Sequence, residues 1–122
     1  MNKNDSEIFV FGSNLAGRHG KGAAKDALNL YGAQYGNGVG RQGSSYAIPT
    51  KDHYLNTLPI ETIGPYVDVF IDYAEAHPEL TFNITRVGCG LAGHFDRDMA
   101  ELFKTAPKNC LFDPEWIEIM GW

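Results

Sequence analysis

Twice in this chain an apolar run passes straight into a glycine-rich turn and then into a segment of helical character. The first unit is Ile8-Phe9-Val10-Phe11 followed by GSNLAGRHGKGAAKD, residues 12–26. The second is Leu80 to Val87, with Phe82, Ile84 and Val87 apolar, followed by Gly88-Cys89-Gly90-Leu91-Ala92-Gly93 and a helical segment opening near Asp96. Short runs rich in β-branched and aromatic residues that stop at glycine read as buried strands. A chain built on two such units is confined to folds that cover a sheet with helices.

The remaining periodicities agree. Ala23, Ala24, Ala27, Leu28 and Tyr31 follow helical spacing from about Gly22 and stop at Gly32. Residues 32–45 read as a glycine-rich loop or hairpin, and Tyr46 to Pro49 as a strand that ends at Pro49, because proline cannot continue a central ladder. Ile60, Ile63, Val67, Phe70, Ile71 and Ala74 mark the inner face of a longer helix that stops at Pro78, its acids Glu61, Asp68, Asp72 and Glu75 lying outward. Asp96 is placed as an N-cap with Asp98 in the first turn, and Met99, Phe103 and Ala106 share one face behind it. The tail predicts a last short strand near Cys110–Phe112 and an aromatic seal, with Trp116 and Trp122 as candidates for an interface. Strand–helix alternation of this kind predicts a three-layer α/β fold, a central mixed sheet with helices on both faces, over residues 1–122 as a single domain. In such folds ligands gather where strand ends meet helix starts, which singles out residues 12–22, 49–57 and 88–95.

Charge decides what kind of ligand to expect. The net charge is −5, which argues against broad binding to nucleic acid or an anionic membrane. The balance is uneven: residues 1–53 hold six Lys/Arg against four Asp/Glu, and the remainder four against eleven. An anion can be bound locally in the positive half. No signal-like or membrane-spanning apolar stretch is visible, so a cytoplasmic location and no membrane partner are expected. Cys89 and Cys110 are too few and too scattered for a disulfide framework or zinc site, and the reading carries no metal and no cofactor.

The first glycine loop is not a Walker A loop: Arg18 and His19 stand where the lysine and the magnesium-binding hydroxyl belong. Gly20-Lys21-Gly22 also lacks the third glycine of a dinucleotide fingerprint. What remains is close backbone approach and free amides at a helix start, which suit phosphate. Two such loops facing each other can hold a diphosphate.

In order, "FGSN…RHGKGAA", "YAIPTK" and "RVGCGLAG" resemble the macro domain, an ADP-ribose-binding fold, over about residues 8–104. The closer resemblance is to the subgroup of terminal ADP-ribose protein glycohydrolases and the antitoxins that remove ADP-ribose from DNA. It implies Asn14 beside the distal ribose, and Gly20 and Gly22 along that ribose and the diphosphate. Gly88, Cys89, Gly90, Leu91, Ala92 and Gly93 are implied to wrap the diphosphate from the other side. Lys51 matches the subgroup's catalytic lysine, which captures the opened sugar as a Schiff base before water releases ADP-ribose. The sequence departs from the family twice. There is no Gly-Asp strand for adenine, Asp5 being able to substitute only by accident of geometry, and Ala92 stands where the protein-directed branch carries an aspartate. The second departure favours the DNA-directed branch or a loss of catalysis.

Other residues have competing readings. Cys89 is either a nucleophile served by His19 or His94, or a small filler between glycines, the second preferred. His19 and His94 can meet phosphate; His53 and His77 read as surface residues. Phe95 is read as a core anchor rather than a stacking platform. Arg18, Arg41 and Arg97 are candidates to influence the Lys51 amine. The expectation is ADP-ribose binding with hydrolysis of an ADP-ribosyl bond through Lys51, on a protein or DNA. The alternative is a binding module without catalysis for ADP-ribose or another NAD-derived nucleotide.

Overall fold

The computed structural model describes residues 6–122; Asp5 lies outside them. Five strands form one mixed sheet in the order β2-β3-β1-β4-β5. In chain order the elements are β1 (Glu7–Asn14), α1 (Gly22–Leu30), β2 (Gly40–Gln42), β3 (Ser45–Lys51), α2 (Ile60–Ala76), β4 (Thr81–Ile84), α3 (Asp96–Glu101), β5 (Cys110–Phe112) and α4 (Pro114–Met120). β1 pairs in parallel with β3 and β4, β4 with β5 in parallel, and β2 with β3 antiparallel.

The alternation of strand side chains sorts the core into two layers. Ile8 and Val10 of β1, Tyr46 and Ile48 of β3, and Phe82 and Ile84 of β4 meet Ile63, Val67, Phe70, Ile71 and Ala74 of α2, with Met99, Phe103 and Trp116 completing that side. Phe11 and Ala47 point the other way and meet Ala24 and Ala27 of α1. β1 is thus apolar on both faces because both are covered, which is the layered arrangement the sequence predicts. Phe70 is the hub of the larger layer: its ring lies 5.0 Å from Tyr46, 5.3 Å from Phe82 and 6.1 Å from Phe103. Such aromatic pairs contribute roughly 0.5–1.5 kcal/mol each beyond burial.

Four sequence expectations are corrected. β1 runs on through Gly12 and Ser13 to Asn14, because β3 continues alongside it as far as Lys51, with a bulge after Ser13. Pro49 therefore does not end β3. Its neighbour on the outer side, β2, stops at the Gly40–Ala47 pair, so no ladder bond is asked of the proline nitrogen. β4 ends at Ile84, short of Val87, because Thr85 turns the chain by donating both its amide and its hydroxyl to the Val10 carbonyl. In the tail, Asp113 caps a helix the sequence reading missed, accepting from the Glu115 amide, with Pro114 at its first position and Gly121 left-handed at its end. Trp116 on that helix is fully buried, which removes it from any interface, while Trp122 packs on Phe112 and is 44% exposed.

Residues 32–45 have a task that composition does not reveal. A Cβ on Gly38 would lie 1.8 Å from the Asn14 carbonyl oxygen, and one on Gly17 2.2 Å from the Gly36 carbonyl carbon. Two backbone segments are pressed together there with no room for a side chain. Gly38→Ala is therefore expected to destabilise the fold by roughly 2–4 kcal/mol. A urea midpoint indistinguishable from wild type would show that the segment yields without cost.

Candidate functional site

The C-terminal ends of β3, β1 and β4 open into a cleft of about 690 Å³. Its floor is Gly12, Ser13 and Asn14 of β1, Thr50 and Lys51 of β3, and Thr85 beyond β4. One wall is the loop from Arg18 through the start of α1 to Ala24; the other runs from Arg86 to Ala92. The two glycine loops do face each other. The Leu91 side chain spans the gap, with its Cδ1 4.0 Å from where a Cβ on Gly22 would sit.

The first wall is built from backbone. α1 opens at Gly22 with Lys21 as N-cap and no side-chain cap bond, so its first-turn amides are left for whatever lies in the cleft. The turn before it is closed by Asn14, whose amide donates to the Arg18 carbonyl at 2.8 Å and accepts from the Arg18 amide at 2.9 Å. Asn14 therefore reaches the cleft as part of its floor, with both ends of its side chain already engaged. The turn is backed by residues 36–38: the Gly36 amide donates to Gly17, and the Ser13 hydroxyl donates to the Gly38 carbonyl. His19 is fully buried behind this wall, Nε2 on the Asn37 carbonyl at 2.9 Å and its ring edge-on to Phe11. It does not line the cleft.

The second wall is held by charge. Asp96 is not an N-cap; Phe95 occupies that position, 77% exposed and no core anchor. The Asp96 carboxylate instead accepts two bonds from the Arg86 guanidinium, at 2.8 and 2.6 Å, and one from the Trp116 indole at 2.8 Å. The Arg86 pairing holds the Asp96 carboxyl well below the usual range, with Trp116 adding to it, and raises the Arg86 value in turn. Across the cleft's outer end, the Thr57 hydroxyl donates to the Ala92 carbonyl at 2.8 Å, and His94 Nε2 meets the Leu58 carbonyl at 2.8 Å. His94 is thus a strut between loops, outside the cleft lining. Within the glycine loop, internal bonds use the amides of Cys89, Gly93 and His94, leaving those of Gly90, Leu91 and Ala92 without a backbone acceptor.

Of the residues singled out in the sequence, Asn14, Gly20, Gly22, Lys51, Gly88, Cys89, Gly90, Leu91 and Ala92 all line this one cleft; Gly93 falls behind it. Gly20 and Gly90 would each carry a Cβ into open space, whereas Gly22 has φ +59° and Gly88 has φ +79° with Met99 3.0 Å away. Open backbone at Gly20 and Gly90 is where close approach to a ligand is possible. Burial pushes the Cys89 thiol up to about 12, with Asp96 adding to it, which disfavours the thiolate that a nucleophilic role would need. Arg41 is occupied at Gly43 and Tyr73, and Arg97 at the Ile119 carbonyl, neither of them in the lining, while Arg18 is.

The lining also holds Thr50, Thr85, Arg86, Tyr35 and Leu55, which sequence reasoning passed over. Thr50 and Thr85 had a signal, since Thr50 lies near the end of β3 and Thr85 just after β4 at the sheet's C-terminal edge; Leu55 lies in the 49–57 loop that strand order singled out, but its residue type gave no signal. Arg18, Lys21, Lys51 and Arg86 line the cleft and no Asp or Glu does. In a chain of net charge −5 this leaves the cleft lining locally positive. Among the described residues no group of His, Cys, Asp or Glu is placed to hold a metal ion, and no helix is long and apolar enough to cross a membrane.

No protein-family model matches the chain, and no curated protein matches it either. The fold itself has a counterpart. A solved chain of Thermosipho africanus DarTG, in complex with ADP-ribose, superposes with a TM-score of 0.53 at 18% identity. The match covers 88% of this chain and 38% of that one, so this chain spans well under half of DarTG. At that identity the likeness shows the fold, and it bears out the macro-like α/β arrangement expected from the sequence.

The Asp96 pairing gives a pH test. Because its folded value lies below the unfolded one, its stabilising contribution is complete above about pH 4 and is lost as pH falls through the folded value. Asp96→Asn is expected to melt several degrees below wild type at pH 7. That difference should shrink as pH drops below about 4. A difference that stays constant with pH would show that the charge of Asp96 is not what holds the wall.

Proposed function

We propose that the protein binds ADP-ribose, with the diphosphate between the two glycine loops. The observation that carries this is the pairing of open backbone with charge: Gly20 and Gly90 face open space, the α1 amides are uncapped, and four basic side chains line the cleft with no acid among them. A diphosphate uses all three. The fold shared with the DarTG chain solved with ADP-ribose supports the same choice of ligand.

We further read the protein as hydrolysing an ADP-ribosyl bond through Lys51, as the resemblance to the glycohydrolase and antitoxin subgroup implies. The lysine stands at the end of β3 on the cleft floor, where the distal ribose of a ligand so placed would lie. Its neutral amine would bond to the anomeric carbon as the bond to the attached group breaks, that group leaving with one amine proton; the ring C–O bond would then break, its oxygen taking the second amine proton, to give the open-chain imine. Water would then add to the resulting imine, returning the amine and releasing ADP-ribose. One observation favours the binding-only alternative: Ala92 stands in the second loop where an aspartate would serve as acid or base, and no other carboxylate lines the cleft to replace it.

ADP-ribose should bind with a dissociation constant of micromolar order, about −8 kcal/mol, and AMP far more weakly. Gly90→Val, whose side chain would enter open cleft, should abolish binding with an unchanged circular dichroism spectrum. Equal affinity for both nucleotides, or unchanged binding by the variant, would remove the diphosphate site.

Lys51→Ala separates enzyme from binder. ADP-ribose affinity should stay within about threefold while release from an ADP-ribosylated DNA or protein stops. Borohydride added during turnover should attach one ADP-ribose to Lys51, read by intact mass. Release that survives the substitution would rule out the lysine mechanism, and a wild type that releases nothing would leave the binding module.

A further inference from the structure

The two faces of the sheet are covered unequally. Residues of α2, α3 and α4 all pack with Ile8 and Val10, whereas α1 alone packs on the other face, over Phe11 of β1 and Ala47 of β3. Among the described residues no helix lies above β4 and β5 on that second face. Cys110 and Phe112 belong to the larger core layer, so strand alternation turns Leu111 to the α1 side, where it is 52% exposed. Phe9 pairs with Asn83 and Asn83 with Leu111, which sets the three in one row across the sheet. With Phe112 and Asp113 they line a groove of about 230 Å³ that holds no Lys or Arg. Glu7, two residues before Phe9 on the same face, accepts from the Asn83 amide at 3.2 Å. The strip is apolar, with Glu7 toward the strands' N-terminal ends and Asp113 toward their C-terminal ends.

We propose that a second copy of this chain covers the strip with its own α1, about a two-fold axis that runs along the strands between helix and strip. The free surface of α1 complements the strip in both charge and spacing. Lys25 and Leu30 are exposed, Leu30 at 61%, and Asp26 is the helix's one acid. α1 opens at Gly22 by the strands' C-terminal ends and finishes at Tyr31, whose ring stacks on Phe9 at 4.4 Å. Leu30 therefore lies at the height of the Phe9–Asn83–Leu111 row. From Leu30 back to Lys25 the helix climbs about 7.5 Å. From Leu111 on to Asp113 the extended chain climbs about 6.6 Å in the same direction. A two-fold axis along the strands preserves height and exchanges helix with strip. Leu30 of each copy then meets Leu111 of the other, and Lys25 meets Asp113. Because helix and strip share one face of the sheet, each copy gives a helix and receives one, and the contact closes at two chains. The pairing is independent of any ligand in the cleft.

Sedimentation equilibrium of the full chain, from about 1 to about 200 μM, should show the mass rising from 13.5 kDa toward twice that value. Leu111→Arg and Leu30→Glu, both at exposed positions, should each weaken association about tenfold or more with an unchanged melting temperature. Lys25→Ala should weaken it several-fold in the wild type and not at all in an Asp113→Ser background, since serine keeps the cap on α4 and loses the charge. In a mixture of Leu30→Cys and Leu111→Cys chains, oxidation should join one variant to the other. Either variant alone, which carries the same Cys89 and Cys110, should stay largely unlinked. A mass fixed at 13.5 kDa over the whole range, or a dimer untouched by Leu111→Arg, would overturn the interface. So would an equal effect of Lys25→Ala in both backgrounds, or a disulfide formed as readily by one variant alone as by the mixture.

Discussion

The glycines with least room for a side chain are packed backbone on backbone. Gly38 lies against the Asn14 carbonyl and Gly17 against Gly36, in spaces that exclude even a methyl group. Around them the Ser13 hydroxyl reaches Gly38, and His19 reaches Asn37. The first wall of the cleft is consequently stiffened from behind by residues 36–38, none of which lines the cleft. That matters for a site that works by backbone approach. A loop made of glycines has few side chains with which to hold itself, and would otherwise lose its shape to conformational entropy.

The opposite wall reaches the same end by other means. Arg86, Asp96 and the Trp116 indole join three elements at one carboxylate, and Thr57 and His94 tie the loop's far side to the segment after β3. The Arg86–Asp96 pair also sets the electrostatics. It neutralises one cation of the lining, so Arg18, Lys21 and Lys51 carry the free positive charge toward a ligand. The acids that make the whole chain negative sit elsewhere, several on the outer face of α2. An acidic protein can therefore attract one anion without attracting polyanions in general.

Periodicity made the layers legible. Ile63, Val67, Phe70, Ile71 and Ala74 are buried where helical spacing put them, and β1 is apolar on both faces because both are covered. The facing of the two glycine loops was also legible, since it follows from strand order in a parallel sheet. What sequence could not supply were choices made by tertiary partners. Asp96 carries every local sign of an N-cap, yet Arg86 and Trp116, distant in sequence, take its carboxylate. Pro49 breaks a ladder only where a neighbour asks for its amide, and β2 ends too soon to ask. His19 and His94 lie in the right loops but outside the lining, because the carbonyls of Asn37 and Leu58 claim them. The α4 helix was missed for a different reason. Its cap, Asp113-Pro114, and its stop, Gly121, were present in the sequence, but seven residues are too few for periodicity to show.

Several costly features of the described chain lie near the cleft mouth. Leu55 is strained, and Leu55, Leu91 and Tyr35 leave apolar surface in water, at 38%, 65% and 65% exposure. Elsewhere most large apolar residues of β1, β3, β4 and α2 are closed into two layers, while Val69 on the outer face of α2 stays exposed. A fold selected for stability alone would replace Leu55 with glycine and the rim leucines with polar residues, at no loss to either layer. Apolar surface kept at the rim of the cleft that holds Lys51 is a cost that neither core layer requires.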